Sequence, residues 1–177
     1  MSSGFTGSGE KTLASVVGID VTSDGIVRVL SASTEIGQGT NTIFSQIAAD
    51  ALGIDYSMVD VAQPDTRFVP NSGPTVASRT VMVVGKLVES AALGLKQTLL
   101  QSGLLKKDYD TDAFQAACQA YIRKYGELKS YSQYKQPPNI EWDDNKYQGD
   151  AYGAYAWAVY VAEVSVEEFI DGEDFTF

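Results

Sequence analysis

Apolar residues recur along this chain with two periods, and the switches between them mark its elements. Residues 13–21 alternate apolar and small side chains, the period of a half-buried strand. Ser23-Asp24-Gly25 is a turn signal, and residues 26–30 read as the return strand of a β-hairpin. The first dozen residues, rich in Gly and Ser, read as a loop. After the hairpin the period changes. Ile43, Ile47, Ala48 and Ala51 share one face of a helix that runs to Leu52. Thr40 or Asn41 can cap its start, and Gly53 sits where a left-handed C-terminal residue belongs. Val59-Asp60-Val61-Ala62 is a short strand.

Residues 63–75 hold three of the chain's five prolines and form a loop. Ser78 or a neighbour then starts a long helix in which Val81, Val84, Val88, Ala91, Leu95 and Leu99 recur at spacings of three and four, until Ser102-Gly103 ends it. A further helix spans 112–125, with Thr111 as N-cap and Phe114, Ala117, Cys118, Tyr121, Ile122 and Tyr125 on one stripe. Residues 128–134 are a candidate strand. Residues 135–150 are polar, contain Pro137-Pro138 and read as an excursion loop, whose Asp143, Asp144 and Asp150 suit a solvated surface. Residues 152–166, rich in aromatic and β-branched side chains, predict a long strand whose rings pack in a core or against another domain. Asp171-Gly172 is a second hairpin signal, and a second arm of only a few residues suggests a domain cut short. The fold expected is α/β (α+β): one domain over residues 1–177, with a mixed β-sheet and packed helices.

Composition narrows the chemistry. The chain has 177 residues, 44% of them hydrophobic, enough for a sizeable core. A formal net charge of -10 opposes binding to nucleic acid or to an anionic membrane surface. There is one cysteine, Cys118, and no histidine, which excludes an internal disulfide, a Cys/His metal site and a histidine-based triad. Cys118 falls on an apolar helix stripe and reads as a packed core thiol. No signal peptide or membrane-spanning run is visible, so a cytoplasmic protein is expected.

Two segments offer unpaired backbone N–H groups at a helix start, where an anion is favoured. The first is Gly37-Gln38-Gly39-Thr40; the third glycine of a dinucleotide-binding fingerprint is missing, because Thr42 stands there. The second runs from Val69 through Val76, Ala77, Ser78, Arg79 and Thr80, with two hydroxyls and the only nearby cation. Taken alone, each is also consistent with a plain turn into a capped helix. Together they could converge on one large polar ligand. Neither loop carries a lysine, so binding would rest on backbone and hydroxyl groups. Glu35 abuts the first loop, and a surface role and a supporting role both remain open.

These loops carry a resemblance. Glu35-Ile36-Gly37-Gln38-Gly39-Thr40, followed by residues 47–54, resembles the Gly-Gln-Gly segment of the xanthine dehydrogenase and aldehyde oxidase family of molybdenum hydroxylases. Gln63-Pro64-Asp65-Thr66 and residues 73–80 resemble that family's second cofactor loop, and residues 4–10 and 151–166 also look like family segments. The resemblance implies a molybdopterin cofactor beside a molybdenum atom. Gln38 would hydrogen-bond the pterin, with Gly37, Gly39 and Thr40 shaping the turn. Ala77, Ser78, Arg79 and Thr80 would face the cofactor through backbone N–H groups and hydroxyls, and Val76 and Ala77 would border the substrate pocket.

The family reaction hydroxylates an electron-poor carbon of a purine, another N-heterocycle or an aldehyde with oxygen derived from water. The glutamate that serves it as general base lies near the end of the family's large chain, and no candidate for it is present here. Catalytic residues are therefore expected outside this chain. Iron–sulfur clusters, and FAD where present, would sit in other domains or subunits, as would the rest of the molybdenum-binding subunit. The expectation is a fragment of a larger molybdopterin-binding domain, inactive when isolated. Two other readings compete: a cofactor-free binding or regulatory module that kept the fold, and an unrelated interaction domain in which Gln38 and Ser78 lie far apart.

Overall fold

The predicted hairpin forms from β1 (Val16–Val21) and β2 (Val27–Leu30), paired antiparallel with Gly18 opposite Leu30 and Val21 opposite Val27. This computed structural model describes residues 14–76, 78–143, 145–150 and 159–165. The hairpin turn closes through the Thr22 N–H on the Ile26 carbonyl at 2.9 Å, and Gly25 at φ 85° supplies the left-handed residue it needs. α1 (Thr40–Leu52) then crosses to β3 (Val59–Val61), which lies parallel to β2. A parallel neighbour requires such a crossover, so β2, α1 and β3 form one βαβ unit. β4 (Lys129–Gln133) adds to the other side of β1, antiparallel, and the sheet order is β3-β2-β1-β4. The sheet is mixed and packed by helices, as expected.

α2 (Lys86–Gln101) lies against β1, β4 and α1, and α3 (Thr111–Tyr125) contacts α2. The core between them holds Val17, Ile19, Phe44, Leu52, Val88, Leu95 and Leu99, joined by Phe114 and Cys118. Burial of these side chains, at roughly 1.5–3 kcal/mol each, is the main term holding the helices to the sheet. Cys118 is the packed thiol anticipated, and desolvation pushes its pKa up to about 12.

Several local expectations are corrected. The N-cap of α1 is Gly39, in the left-handed region at φ 83°, and not Thr40 or Asn41. The buried face of α1 is Phe44, Ser45, Ala48, Ala49 and Leu52; Ile43 and Ile47 are only half-buried, because the sheet and α2 flank a face one position round from theirs. Asp110, not Thr111, caps α3, its carboxylate accepting from the Ala113 N–H at 2.8 Å. The long helix expected from Ser78 begins with a π-helical turn, Thr80–Gly85, and becomes α-helical only at Lys86. The wider winding rotates Val81 out of the apolar stripe, leaving it 49% exposed while Thr80, Val83, Val84 and Gly85 are buried.

The excursion loop contains a two-residue hairpin, β5 (Trp142–Asp143) with β6 (Gln148–Gly149). Of the long strand predicted over 152–166, residues 159–165 are described. They form no strand, and Val159, Tyr160, Val161 and Val164 are exposed. Strand propensity alone does not make a strand of a segment that is not paired with one. The remaining residues of that segment, the second hairpin signal and the first dozen residues lie outside the described residues. No helix of the described residues is long and apolar enough to cross a membrane.

Candidate functional site

Because β2 and β3 are parallel, the loops that follow them leave the same end of the sheet. That end, where strands give way to helix N-termini, is where open α/β sheets form ligand crevices. The two segments singled out by sequence are these two loops, and the chain stitches them together. Ser72 Oγ accepts the Ala32 N–H at 2.9 Å and stands 3.2 Å from Ser31 Oγ. Thr75 Oγ1 accepts the Thr34 N–H at 2.8 Å. Thr34 precedes Gln38 by four residues and Thr75 precedes Ser78 by three. The unrelated-domain reading required the loops to stand apart, and these bonds argue against it.

In the first loop the residues Thr34 to Gln38 are exposed, and Gly37 and Gly39 have φ of 103° and 83°. A Cβ on either glycine would meet nothing within 4 Å, so the backbone conformation, not crowding, demands glycine there. The Gln38 carboxamide folds over its own turn. Its Nε2 donates to the Thr34 carbonyl and to Thr40 Oγ1, both at 2.7 Å, and its Oε1 accepts the Ile36 N–H at 2.7 Å.

Glu35 fills the N–H nest that the turn presents. Oε1 accepts from Gly37 at 2.7 Å and from Gly39 at 3.1 Å, and Oε2 accepts from Asn41 at 3.0 Å. The Asn41 N–H, foremost, and the N–H groups of Gly39, Gly37 and Thr40 together outweigh desolvation and hold the Glu35 carboxyl below its ordinary range. The expectation that both helix starts offer free N–H groups to an anion is therefore corrected for the first: a carboxylate of the chain itself is seated there.

In the second loop Arg79 is corrected as well. Its guanidinium does not face outward as a nearby cation; the residue is fully buried. Nη1 donates to the Pro74 carbonyl at 2.6 Å, and Nη2 donates to Ser15 Oγ at 2.9 Å and to the Ser72 carbonyl at 3.1 Å. The fork shape of the guanidinium lets one side chain gather several oxygens of a tight loop, which lysine could not do. Ser78 is exposed, Thr80 is buried at the start of the π-helical turn, and Val76 is half-buried. Ala77 lies outside the described residues.

Sequence reasoning missed the layer beneath the loops. Ser15, Ser31, Ser33, Ser72 and Arg79 are buried together, and Ser31 Oγ donates to Ser33 Oγ at 3.0 Å. Isolated serines in irregular segments carry no periodic signal. Only the buried polar rule, that each must find a partner, would have directed attention to them.

Chemically, the loops bring the Gln38 carboxamide, hydroxyls and backbone N–H groups to one end of the sheet. Among the described residues no group of three His, Cys, Asp or Glu could hold a metal ion. The donor set matches an organic ligand with amide-like edges and phosphate oxygens, and it fits a pterin that brings its own metal ligands. A separate cleft of about 300 Å³, lined by Asn41, Ser45, Tyr56, Ser57 and Asp60 among others, takes in none of the sequence-predicted binding residues.

The family model described as the molybdopterin cofactor-binding domain matches residues 1–170. Xanthine dehydrogenase 2 of Arabidopsis thaliana is 29% identical over 149 residues, covering 84% of this chain and 11% of the plant protein. The xanthine dehydrogenase molybdenum-binding subunit of Escherichia coli is 41% identical over 78 residues, 44% of this chain and 10% of the subunit. The chain thus spans about a tenth of the length of these curated relatives. Among solved structures, the aldehyde oxidoreductase of Desulfovibrio gigas superposes with a TM-score of 0.58 at 20% identity, over 78% of this chain and 15% of that one. Reconstituted CO dehydrogenase from Oligotropha carboxidovorans gives 0.58 at 21%, over 70% and 18%. At these identities the structures show a shared fold.

Proposed function

Because this chain belongs to the molybdopterin cofactor-binding domain family, we propose that it supplies two loops of the cofactor cradle in a larger molybdenum hydroxylase. The observation that carries this reading is the stitching of the two loops, Ser72 to Ala32 and Thr75 to Thr34, at the carboxyl end of β2 and β3. Gln38 hydrogen-bonds the pterin edge, exchanging the bonds it now makes with Thr34, Ile36 and Thr40 for bonds to the ligand. Gly37, Gly39 and Thr40 shape that turn. Ala77, Ser78, Arg79 and Thr80 form the second wall, with Ser78 presenting its hydroxyl and the loop its backbone N–H groups, while the Arg79 side chain braces the loop from within and buried Thr80 opens the π-helical turn. Val76 and Ala77 border the substrate space.

When bound, the cofactor supplies the two-electron redox and oxygen-transfer chemistry. This chain orients the cofactor and contributes no general base. The substrate class is a purine, a related N-heterocycle or an aldehyde. The remainder of the molybdenum-binding subunit, and iron–sulfur and flavin domains or subunits, complete the enzyme in the cytoplasm. Residues 1–177 form one part of a larger cofactor-binding domain, and the isolated chain is inactive.

The test is the pterin and molybdenum content of the native enzyme carrying this chain, compared with its Gln38→Ala and Ser78→Ala variants. Full occupancy in the native enzyme and a clear loss in both variants supports the reading. A native enzyme free of pterin would favour a module that kept the fold and dispensed with the cofactor.

A further inference from the structure

The turn that carries Gln38 has little to hold its shape except hydrogen bonds. It is exposed from Thr34 to Gln38, and no atom outside the turn lies within 4 Å of where a Cβ on Gly37 or Gly39 would stand. Both glycines adopt positive φ, a conformation that an unsupported loop leaves readily. The helix that follows has no side-chain cap of its own, because its N-cap residue is Gly39. What fills this gap is Glu35, whose two carboxylate oxygens reach N–H groups on both sides of Gln38: Gly37 before it, Gly39 and Asn41 after it.

An ordinary N-cap ties a helix to its own first turn. Glu35 does something different: it spans the residue whose side chain meets the ligand and pins the backbone on either side of it. Charge-assisted bonds to backbone N–H groups are roughly twice as strong as neutral ones, which suits a turn with no packing of its own. Gln38 can then release its bonds to Thr34, Ile36 and Thr40 without the turn collapsing.

We propose that Glu35 is a positioning residue for Gln38, keeping the Gly37–Gly39 turn in its binding shape while the Gln38 carboxamide changes partners. This rests on the cofactor-cradle reading above. Glu35 touches no ligand itself; it acts through the backbone of the residue that does. Supporting partners behind a ligand-contacting group characteristically alter affinity by roughly 10- to 100-fold.

The experiment uses the native enzyme loaded with cofactor, with variants Glu35→Gln, Glu35→Asp, Gln38→Ala and the double variant Glu35→Gln/Gln38→Ala. The readouts are the rate of pterin release, followed by the fluorescence of the oxidised pterin, and amide hydrogen exchange at Gly37, Gly39 and Asn41. Glu35→Gln is expected to release pterin roughly tenfold or more faster, with those three amides losing protection and the thermal midpoint of the apo-enzyme nearly unchanged. Glu35→Asp, with its charge kept and its reach shortened, falls between wild type and Glu35→Gln, and serves if Glu35→Gln does not fold. In the Gln38→Ala background the Glu35 effect largely disappears, as a shared path requires. Wild-type release from Glu35→Gln, or a Glu35 effect that adds in full to that of Gln38→Ala, overturns the proposal while leaving the cradle intact. A native enzyme without pterin overturns both.

Discussion

A β-carbon placed on Gly73 would stand 2.8 Å from Nη2 of Arg79 and 2.9 Å from Ser15 Oγ. The guanidinium is packed against the glycine backbone, and Gly73 itself has φ 77°. Glycine is therefore required twice over, for its conformation and for the space it leaves. Gly73→Ala should destabilise the fold by about 1–3 kcal/mol, read as a lower urea midpoint. An unchanged midpoint would mean that the second loop adjusts freely around Arg79.

Arg79 gathers the Pro74 and Ser72 carbonyls and the Ser15 hydroxyl in the interior. Arg79→Lys keeps the charge and loses the fork. Hydrogen bonds to a charged group contribute about 1.5–3 kcal/mol each, so Arg79→Lys should cost at least that much in unfolding free energy. Equal stability of the lysine variant would show that the oxygens find other donors.

Ser72 and Thr75 tie the loops by accepting the N–H groups of Ala32 and Thr34. The Ser72 bond is the more buried, since Ser72 is fully buried and Thr34 is exposed. Ser72→Ala should cost about 1–3 kcal/mol, because a partly buried N–H is left unsatisfied. Thr75→Val should cost less, because water can replace the hydroxyl at Thr34. Denaturation of the two variants side by side checks the order.

Cys118 holds its proton up to about 12, because its buried site disfavours the thiolate. A thiol reagent at neutral pH should modify it no faster than the protein unfolds. The linkage has a definite sign. The unfolded thiol ionises near 9.0 while the folded one does not, so this contribution is intact below that pH. It is lost as pH rises from there towards 12.

The Glu35 carboxyl is held below its ordinary value by backbone N–H groups, with Asn41 foremost. Its clamp is complete above the ordinary carboxylate value of 4.5 and weakens as pH falls through the lowered folded value. Hydrogen exchange at Gly37, Gly39 and Asn41, corrected for intrinsic rate, should therefore show protection that declines only in acid. Protection that persists in acid after the Glu35 carboxylate has taken up its proton would mean the turn holds without the ionised side chain.

The hairpin of β1 and β2, the presence of three long helices and the position of both loops were legible in the sequence. Each follows from short-range rules: alternation over residues 16–21, three-and-four spacing from Val84 to Leu99, and glycines where the backbone turns. What tertiary structure alone decided has the opposite character. Ser72 meets Ser31 across 41 residues and Arg79 meets Ser15 across 64, pairings that no local pattern encodes. The π-helical turn at Thr80–Gly85 displaced Val81 from a stripe whose spacing alone had placed it inside. Glu35 was visible as a neighbour of the Gly-Gln-Gly turn, but which N–H groups it would hold depended on the turn's three-dimensional shape. Sequence determined the elements because their energetics are local. The fold determined the assembled cradle, because buried polar groups are satisfied by whichever partners the packing of the sheet and helices brings near.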